Sequence, residues 1–373
     1  MSTVTFIILC LEGAVLSFNV AASAALVPSI AASFGLSQFV VGKIIWLYML
    51  PYGLAALLYG PLVRLLDARK VELFCIFMFS LANLLAAGGC KIEILFVARF
   101  MMGLFGASVI PLGLILIARH LEPAKRGRYI GLFFGSTFVA SLLGLFLSGI
   151  IRWRMIFLIP AVCGFILWVF MYFYLPSFKE KTPQFRIGYV EAFRSRKVVM
   201  LFGYIFLISL IYHAVQQWLG VYFSTQMYLN QFVISMLITL TSLSGVFGEI
   251  WGGRLADSIG RFRVVNLGIF SMVLCIFLLL IKMPLGLLAL VMIIWGLGWT
   301  FNHVGLSTML TDLPPTLLNE AASLNSAVRF ISGGIGVSLG GLIMQKSFAL
   351  GFSVLGLGLM ILLMFSRLAR NKI

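Results

Sequence analysis

Gly252-Gly-Arg-Leu-Ala-Asp-Ser-Ile-Gly-Arg-Phe-Arg263 is the stretch on which the reading of this chain turns. It sets a glycine pair, one acid and three arginines between two long apolar runs, residues 231–256 and 264–282. Gly252 and Gly253 permit a neighbouring helix to approach closely, and Gly260 permits a turn with positive φ. Asp257 is placed to cap the start of a neighbouring helix and to pair with Arg261, which would favour one conformation over another. The competing explanation is a charged turn that needs no more than the excess of basic residues on one side of a membrane.

The flanking runs are not isolated. Of 373 residues, 62% are hydrophobic and 10% charged, with a mean hydropathy of +1.11. Soluble domains have about 45–50% apolar and about 25% charged residues, so a soluble enzyme and a disordered tail are both excluded. A spanning helix takes about 20 apolar residues. The sequence predicts such spans at 4–32, 38–63, 72–89, 93–118, 128–150 and 154–176, then 197–223, 231–256, 264–282, 285–310, 318–345 and 347–367. Their continuous apolar character disfavours a β-barrel, whose strands alternate. The outer turns are short, as in Phe34-Gly-Leu-Ser-Gln38. One long interruption, Pro176 to Lys197, is rich in Lys, Arg and Glu, contains Pro183, and separates two sets of six spans. The expected organisation is therefore a bundle over 1–176, a cytoplasmic linker over 177–196 and a second bundle over 197–373. Within the linker, Ile187–Arg196 suits a short amphipathic helix on the inner membrane face.

An offset of 192 residues carries Gly60 onto Gly252, Gly144 onto Gly336 and Gly149 onto Gly341. Parallel six-helix repeats are a known transporter construction, with the site near the midplane between them.

The formal net charge of +16 would suggest nucleic acid in a soluble protein. Its placement argues for a membrane instead. With the N-terminus inside, 19 of the 27 basic residues fall in loops on one side, including Arg69, Lys70, Arg128, Lys179, Arg254, Arg261 and Arg370. Positive residues gather on the cytoplasmic side, which predicts cytoplasmic termini and an inner (plasma) membrane location. The five cysteines are scattered through apolar segments without CxxC pairing and read as small buried residues. The N-terminus has no basic n-region and no A-x-A-like site, so the first run is expected to be a retained helix.

The 252–263 stretch resembles the loop motif of the major facilitator superfamily: glycine, an acid, then glycine and basic residues between two helices. Its first-half counterpart is Leu58-Tyr-Gly-Pro-Leu-Val-Arg-Leu-Leu-Asp-Ala-Arg-Lys-Val71, where Tyr59 to Leu62 and Arg69 match. Arg64 stands at the acidic position and Asp67 at a glycine position. Either Asp67 reaches the same partners from one turn later, or gating rests on the second half. Arg99-Phe-Met-Met-Gly-Leu-Phe-Gly-Ala107 is similar to the family's fourth-helix motif, and Asn325 to Gly336 to its eleventh helix. Gly135, Gly144 and Gly149, followed by Trp153 to Pro160, resemble the fifth-helix motif of the drug:proton antiporters, with Leu147-Ser148 in place of its Gly-Pro pair. The resemblance implies an all-α, twelve-helix, two-bundle transporter whose first, fourth, seventh and tenth helices line a cavity. It further implies proton-coupled antiport of small, largely apolar organic molecules out of the cell, with Gly252, Gly253, Asp257, Gly260, Arg261, Asp67 and Arg69 as the conformational latch.

Gly42-Lys43 is followed by Ile44, so it opens no P-loop, and the driving force is expected to be an ion or substrate gradient without a bound cofactor. A charge at a helix centre costs about 2.5–3.5 kcal/mol on insertion scales and usually has a task. Glu12, Arg99, Glu249 and Arg329 are in that position. Lys43 can snorkel from the outer end of its span, and Glu249 can belong to the network around Asp257. Glu12 sits among small and apolar residues, where ionisation must be paired or avoided. It is either a proton carrier or a fixed partner of Arg99 or Arg329, and Arg99 is either a helix–helix link or part of proton coupling.

For the substrate cavity, Tyr212, His213, Gln216 and Gln217 share one face of the seventh span. Trp295, Trp299, Asn302 and His303 come from the tenth, and Asn325 and Arg329 from the eleventh. They suit a pocket with aromatic walls and a few hydrogen-bonding groups. His213 and His303 can carry protons, bind metal, or simply bond neighbouring helices. No catalytic constellation or metal-ligand spacing is present, so the chain does not read as an enzyme. The expected partners are a small-molecule substrate and the bilayer, with a monomeric assembly and no nucleic acid. Alternatives to efflux are uptake of an anionic metabolite or chelate held by Arg99 and Arg329, lipid flipping through a lateral opening, and a non-transporting receptor.

Overall fold

A backbone in lipid must satisfy its N–H and C=O groups internally, which a helix does within its own segment. In the computed structural model, which describes residues 2–178, 193–310 and 318–369, the apolar runs accordingly form helices. In chain order they are α1 (Thr3–Ser17), α2 (Ala22–Phe34), α3 (Gln38–Val41), α4 (Lys43–Leu65), α5 (Ala68–Gly88), α6 (Ile92–Gly106), α7 (Val109–His120), α8 (Pro123–Ser148) and α9 (Trp153–Tyr174). The second set is α10 (Arg196–Gln216), α11 (Leu219–Thr225), α12 (Gln231–Ile259), α13 (Arg261–Leu278), α14 (Leu285–Leu310), α15 (Leu318–Met344) and α16 (Phe348–Ala369). Among the described residues, 11 helical spans are long and apolar enough to cross a membrane, and the bent pair α1–α2 makes a twelfth. The amphipathic helix expected from Ile187 lies mostly outside the described residues.

Three spans are interrupted by polar or small residues. The first bends by 41° between α1 and α2. There Asn19 turns its side chain onto Asn83 of α5, and Ser23 donates to the Asn19 carbonyl oxygen at 2.8 Å. The fourth breaks at Ala107–Ser108 and the seventh at Gln217–Trp218, where the Trp218 indole donates to the Val337 carbonyl oxygen of α15 at 2.9 Å.

The chain divides into two compact units, Met1–Ile187 and Gly188–Ile373. In the first, α1 packs on α8, α4 on α6, and α5 on both α6 and α9. In the second, α10 packs on α15, α12 on α14, and α13 on both α14 and α16. The order of partners is the same. The repeat extends to individual atoms. A methyl group at Gly144 would sit 1.7 Å from the Phe18 carbonyl oxygen, and one at Gly336 would sit 2.1 Å from that of Leu210. Both residues of the second contact lie 192 positions after those of the first. Likewise a methyl at Gly103 would meet the Tyr48 carbonyl oxygen at 2.2 Å, and one at Gly296 the Thr241 carbonyl oxygen at 2.1 Å. Glycine is needed at all four because helix backbones touch there.

Candidate functional site

The second unit gathers most of the expected cavity residues. Toward its end, α10 presents Tyr212, His213 and Gln216 to α14. The Tyr212 ring lies flat on Trp299, with centroids 3.9 Å apart and planes 8° apart, and faces Trp295 at 5.3 Å and 21°. The Trp295 indole is fully buried and donates to Gln216 Oε1 at 2.7 Å. His213 meets the Trp299 ring edge-on at 5.4 Å. Its Nδ1 is 2.8 Å from the Ser209 carbonyl oxygen, which can only accept, so the ring proton sits on Nδ1.

From α15, Arg329 brings a guanidinium to within 5.7 Å of the Trp299 ring centroid, inside the range of a cation–π contact. Arg329 Nε donates to Asn325 Oδ1 at 2.9 Å and its terminal nitrogen to Ser307 Oγ at 3.4 Å. The Ser209 hydroxyl donates to the Arg329 carbonyl oxygen at 3.0 Å, which ties α10 to α15 beneath the rings. One turn beyond Trp299, His303 Nδ1 is 2.8 Å from Glu249 Oε1 of α12. That separation suits an ion pair, although the angle is not that of a hydrogen bond. The two side chains are 35% and 45% exposed, so this pair is the accessible edge of the group.

Two expected members stand apart. Asn302 is fully buried on the α13 side of α14, bonding Gly298 and Met272, and serves helix packing. Gln217 caps the end of α10. Glu249, which the sequence left able to join the network around Asp257, instead contacts the aromatic group through His303.

In the first unit, Glu12 is fully buried on α1, and neither carboxyl oxygen has a hydrogen-bond partner among the described residues. Arg99 is not its counter-ion. Arg99 Nε donates to the Ile44 carbonyl oxygen at 3.0 Å, and its guanidinium lies 4.5 Å over the Tyr48 ring, linking α6 to α4. The sequence reading passed over Glu72. It is also fully buried, with neither oxygen hydrogen-bonded among the described residues. It is the first residue of the span predicted over 72–89, so it did not stand out as a charge at a helix centre. The cap at Asp67 starts α5 at Ala68 and carries Glu72 a full turn inside.

The two loop motifs differ from expectation. Gly260 adopts φ +96° at the α12–α13 turn, and Gly252 faces the Phe301 ring of α14, whereas Gly253 faces open space. Asp257 is exposed and makes no hydrogen bond or ion pair among the described residues. Arg261 instead donates to the Thr308 carbonyl oxygen near the end of α14 at 3.0 Å. The tied acid is in the first half. Asp67 caps α5 through the Arg69 amide at 3.1 Å, and accepts from the Ser177 hydroxyl and from the Phe178 amide at 2.9 Å. Partial burial opposes its ionisation, but these donors, with the Lys70 charge, hold its carboxyl below the ordinary value. The Arg69 guanidinium reaches the Tyr172 carbonyl oxygen at the end of α9.

Among known proteins, the family profile described as Major Facilitator Superfamily matches residues 9–341. The chain is 23% identical over 369 residues to an uncharacterized MFS-type transporter, YbcL, of Bacillus subtilis (strain 168), covering 96% of this chain and 95% of that one. It is 23% identical over 364 residues to a probable sugar efflux transporter of Pasteurella multocida (strain Pm70), covering 94% and 90%. The nucleoside transporter NupG superposes with a TM-score of 0.76 at 15% identity, and the human organic anion transporter MFSD10 with 0.73 at 15%, each over 98% of both chains. At that identity these two structures establish the fold alone.

Proposed function

The chain belongs to the major facilitator superfamily, and from that premise we propose that it is a secondary transporter exporting a small organic molecule in exchange for protons. The observation that carries the coupling is Glu12, an acid fully buried in the first span with no partner for either oxygen among the described residues. An ionised carboxylate there would bear a desolvation penalty of several kcal/mol. Proton uptake removes that penalty, so protonation is tied to how far the site is exposed to water. The aromatic group around Trp299 supports a substrate with an apolar, planar part. With Glu249 opposite His303, the group is not a simple anion trap, and Arg99 is already engaged with Ile44 and Tyr48. The efflux direction is supported by the family motifs and by relatives named as efflux transporters. The basic loops support cytoplasmic termini, and labelling of Gln38 from the cytoplasmic side would overturn that orientation.

The test uses purified protein in proteoliposomes, a panel of aromatic dyes, and an imposed pH gradient. Glu12→Gln imitates the protonated acid, so uphill dye movement should be lost while downhill exchange partly survives. Gradient-driven flux at the wild-type rate in this variant would move the coupling site elsewhere. Failure of the variant to fold would point to a structural role for Glu12.

A further inference from the structure

Trp299, His303 and Ser307 recur every four residues on α14 and form one stripe along it. Each is only partly buried. Other helices cover α14 on both sides of the stripe. On one side α12 packs so closely that a methyl group at Gly248 would strike the Thr300 hydroxyl. On the other, Tyr212 and Gln216 of α10 lie against Trp295. The stripe is therefore the floor of a groove, and its two walls carry opposite charges. From α12, Glu249 Oε1 reaches His303 Nδ1 at 2.8 Å. From α15, which packs on α10, Arg329 touches the residues one turn before and one turn after His303. Its guanidinium is 5.7 Å from the Trp299 ring centroid and 3.4 Å from Ser307 Oγ.

Packing accounts for neither charge. Arg329 is only 8% exposed, yet among the described residues its hydrogen-bond acceptors, Asn325 Oδ1 and Ser307 Oγ, are both neutral. A buried guanidinium without an anion is costly, and an anionic group on a ligand would complete it. Glu249 does not stand on the lipid side of its helix. That side carries the exposed Leu243, Phe247 and Ile250, whereas Glu249 shares its side with Ser242, Val246 and Gly253. Among the described residues its ion-pair partner is His303, whose charge depends on pH. A ligand ammonium in that place would be a permanent one.

We propose that this groove binds an amphoteric planar molecule, with an aromatic ring along Trp299, an anionic group on Arg329 and an ammonium on Glu249. The proposal rests on the reading of the chain as an exporter of a molecule with a planar apolar part, and it gives that molecule two charges. Tyr212 covers one face of the Trp299 indole, so the ligand ring takes what remains of it. The guanidinium offers paired N–H donors to a carboxylate, and the ammonium replaces His303 beside Glu249. A purely anionic ligand meets the Glu249 carboxylate, and a purely cationic one meets the guanidinium. Each then gains one attraction and suffers one repulsion, which is how the groove selects against it.

The experiment measures binding to the purified full-length protein at neutral pH by isothermal titration calorimetry, with micelle blanks. Three ligands share a naphthalene ring. One bears a carboxylate and an aminomethyl group at opposite ends, one the carboxylate alone, and one the aminomethyl group alone. The zwitterion should bind at least about tenfold tighter than either of the others. In Glu249→Gln it should come within about threefold of the anion, and in Arg329→Gln within about threefold of the cation. Arg329→Lys keeps the charge and should still bind the zwitterion tighter than the cation. If Arg329→Gln does not fold, Arg329→Lys and Glu249→Gln decide. Three ligands of equal affinity, or none bound, overturn the proposal, as does a zwitterion preference that survives Glu249→Gln unchanged. Dye flux driven by a pH gradient tests the export reading separately. Zwitterion preference without such flux keeps the ligand class and removes the antiport, and flux without the preference does the reverse.

Discussion

Motif resemblance ranks Asp257 above Asp67, and the structure reverses that order, so Asp67→Ala against Asp257→Ala is a sharp comparison. Asp67 caps α5, and replacing such a cap by alanine costs about 1 kcal/mol. It also accepts from Ser177 and from the Phe178 amide. Hydrogen bonds to a charged group are worth about 1.5–3 kcal/mol when buried. At this partly exposed loop, solvent screening reduces them to about 0.5–1 kcal/mol each. The total is about 2–3 kcal/mol, which for a unit of this size lowers Tm by about 5–10 °C. Asp257, exposed and unpartnered, should change stability by less than about 0.5 kcal/mol on replacement. The pH dependence has a definite sign. Because the folded protein holds the Asp67 carboxyl below its ordinary value, the stabilisation is complete above the unfolded carboxylate range, about pH 3.9. It is lost as pH falls through the lower folded value. The gap between wild type and Asp67→Ala should therefore be constant from neutral pH down to the carboxylate range and narrow below it. Tryptophan-fluorescence melting in matched detergent micelles reads both effects. A melting point within about 2 °C of wild type for Asp67→Ala would refute this account, as would an equal or larger drop for Asp257→Ala.

Two further outcomes follow from the same geometry. Arg99→Lys loses the planar stack on Tyr48 and the Nε bond to Ile44, so it should melt lower by an amount corresponding to about 2 kcal/mol while leaving the pH-gradient dependence of transport unchanged; normal melting with lost coupling would return Arg99 to the proton path. Gly144→Ala and Gly336→Ala place a methyl 1.7 Å and 2.1 Å from a carbonyl oxygen, and each should cost about 1–3 kcal/mol and cut the yield of monodisperse protein, whereas Gly135→Ala, in open space, should not; equal yields of all three would remove the close-contact argument.

The spans were legible because lipid leaves a chain few alternatives, and runs of about 20 apolar residues announce themselves. The breaks at Asn19, Ser108 and Trp218 were not, since one or two polar residues barely alter the hydropathy of a long run. The aromatic face of α10 was legible from helical spacing. On α14, Trp295, Trp299 and His303 recur every four residues and share a face. Asn302 precedes His303 by one residue, a step of about 100°, which turns it to α13 instead. Glu72 escaped because its burial depends on where a helix begins, and that start is set by the side chain of Asp67. The loop acids were misranked for a related reason: a motif fixes position in sequence, whereas the number of donors around a carboxylate is a property of the folded turn.

The two units share their backbone contacts and differ in their polar content. At the 192-residue offset of the Gly144 and Gly336 contacts, Glu12 falls on Tyr204 and Arg329 on Thr137, and at the 193-residue offset of the Gly103 and Gly296 contacts, Trp299 falls on Gly106. Helix contacts such as Gly144 with Phe18 and Gly336 with Leu210 tolerate no side chain, so both copies keep glycine. Positions without that steric demand are free to specialise, the first copy with buried acids such as Glu12 and the second with an aromatic–guanidinium group. That division has a thermodynamic consequence for the proposed antiport. With proton and substrate bound through different atoms, their exchange is a linkage between sites. If protonation weakens substrate binding by some factor, substrate must weaken proton binding by the same factor. The pH dependence of substrate Kd and the substrate dependence of the Glu12 titration midpoint must then agree within error. Unequal shifts would mean that the proton leaving on substrate binding comes from another group.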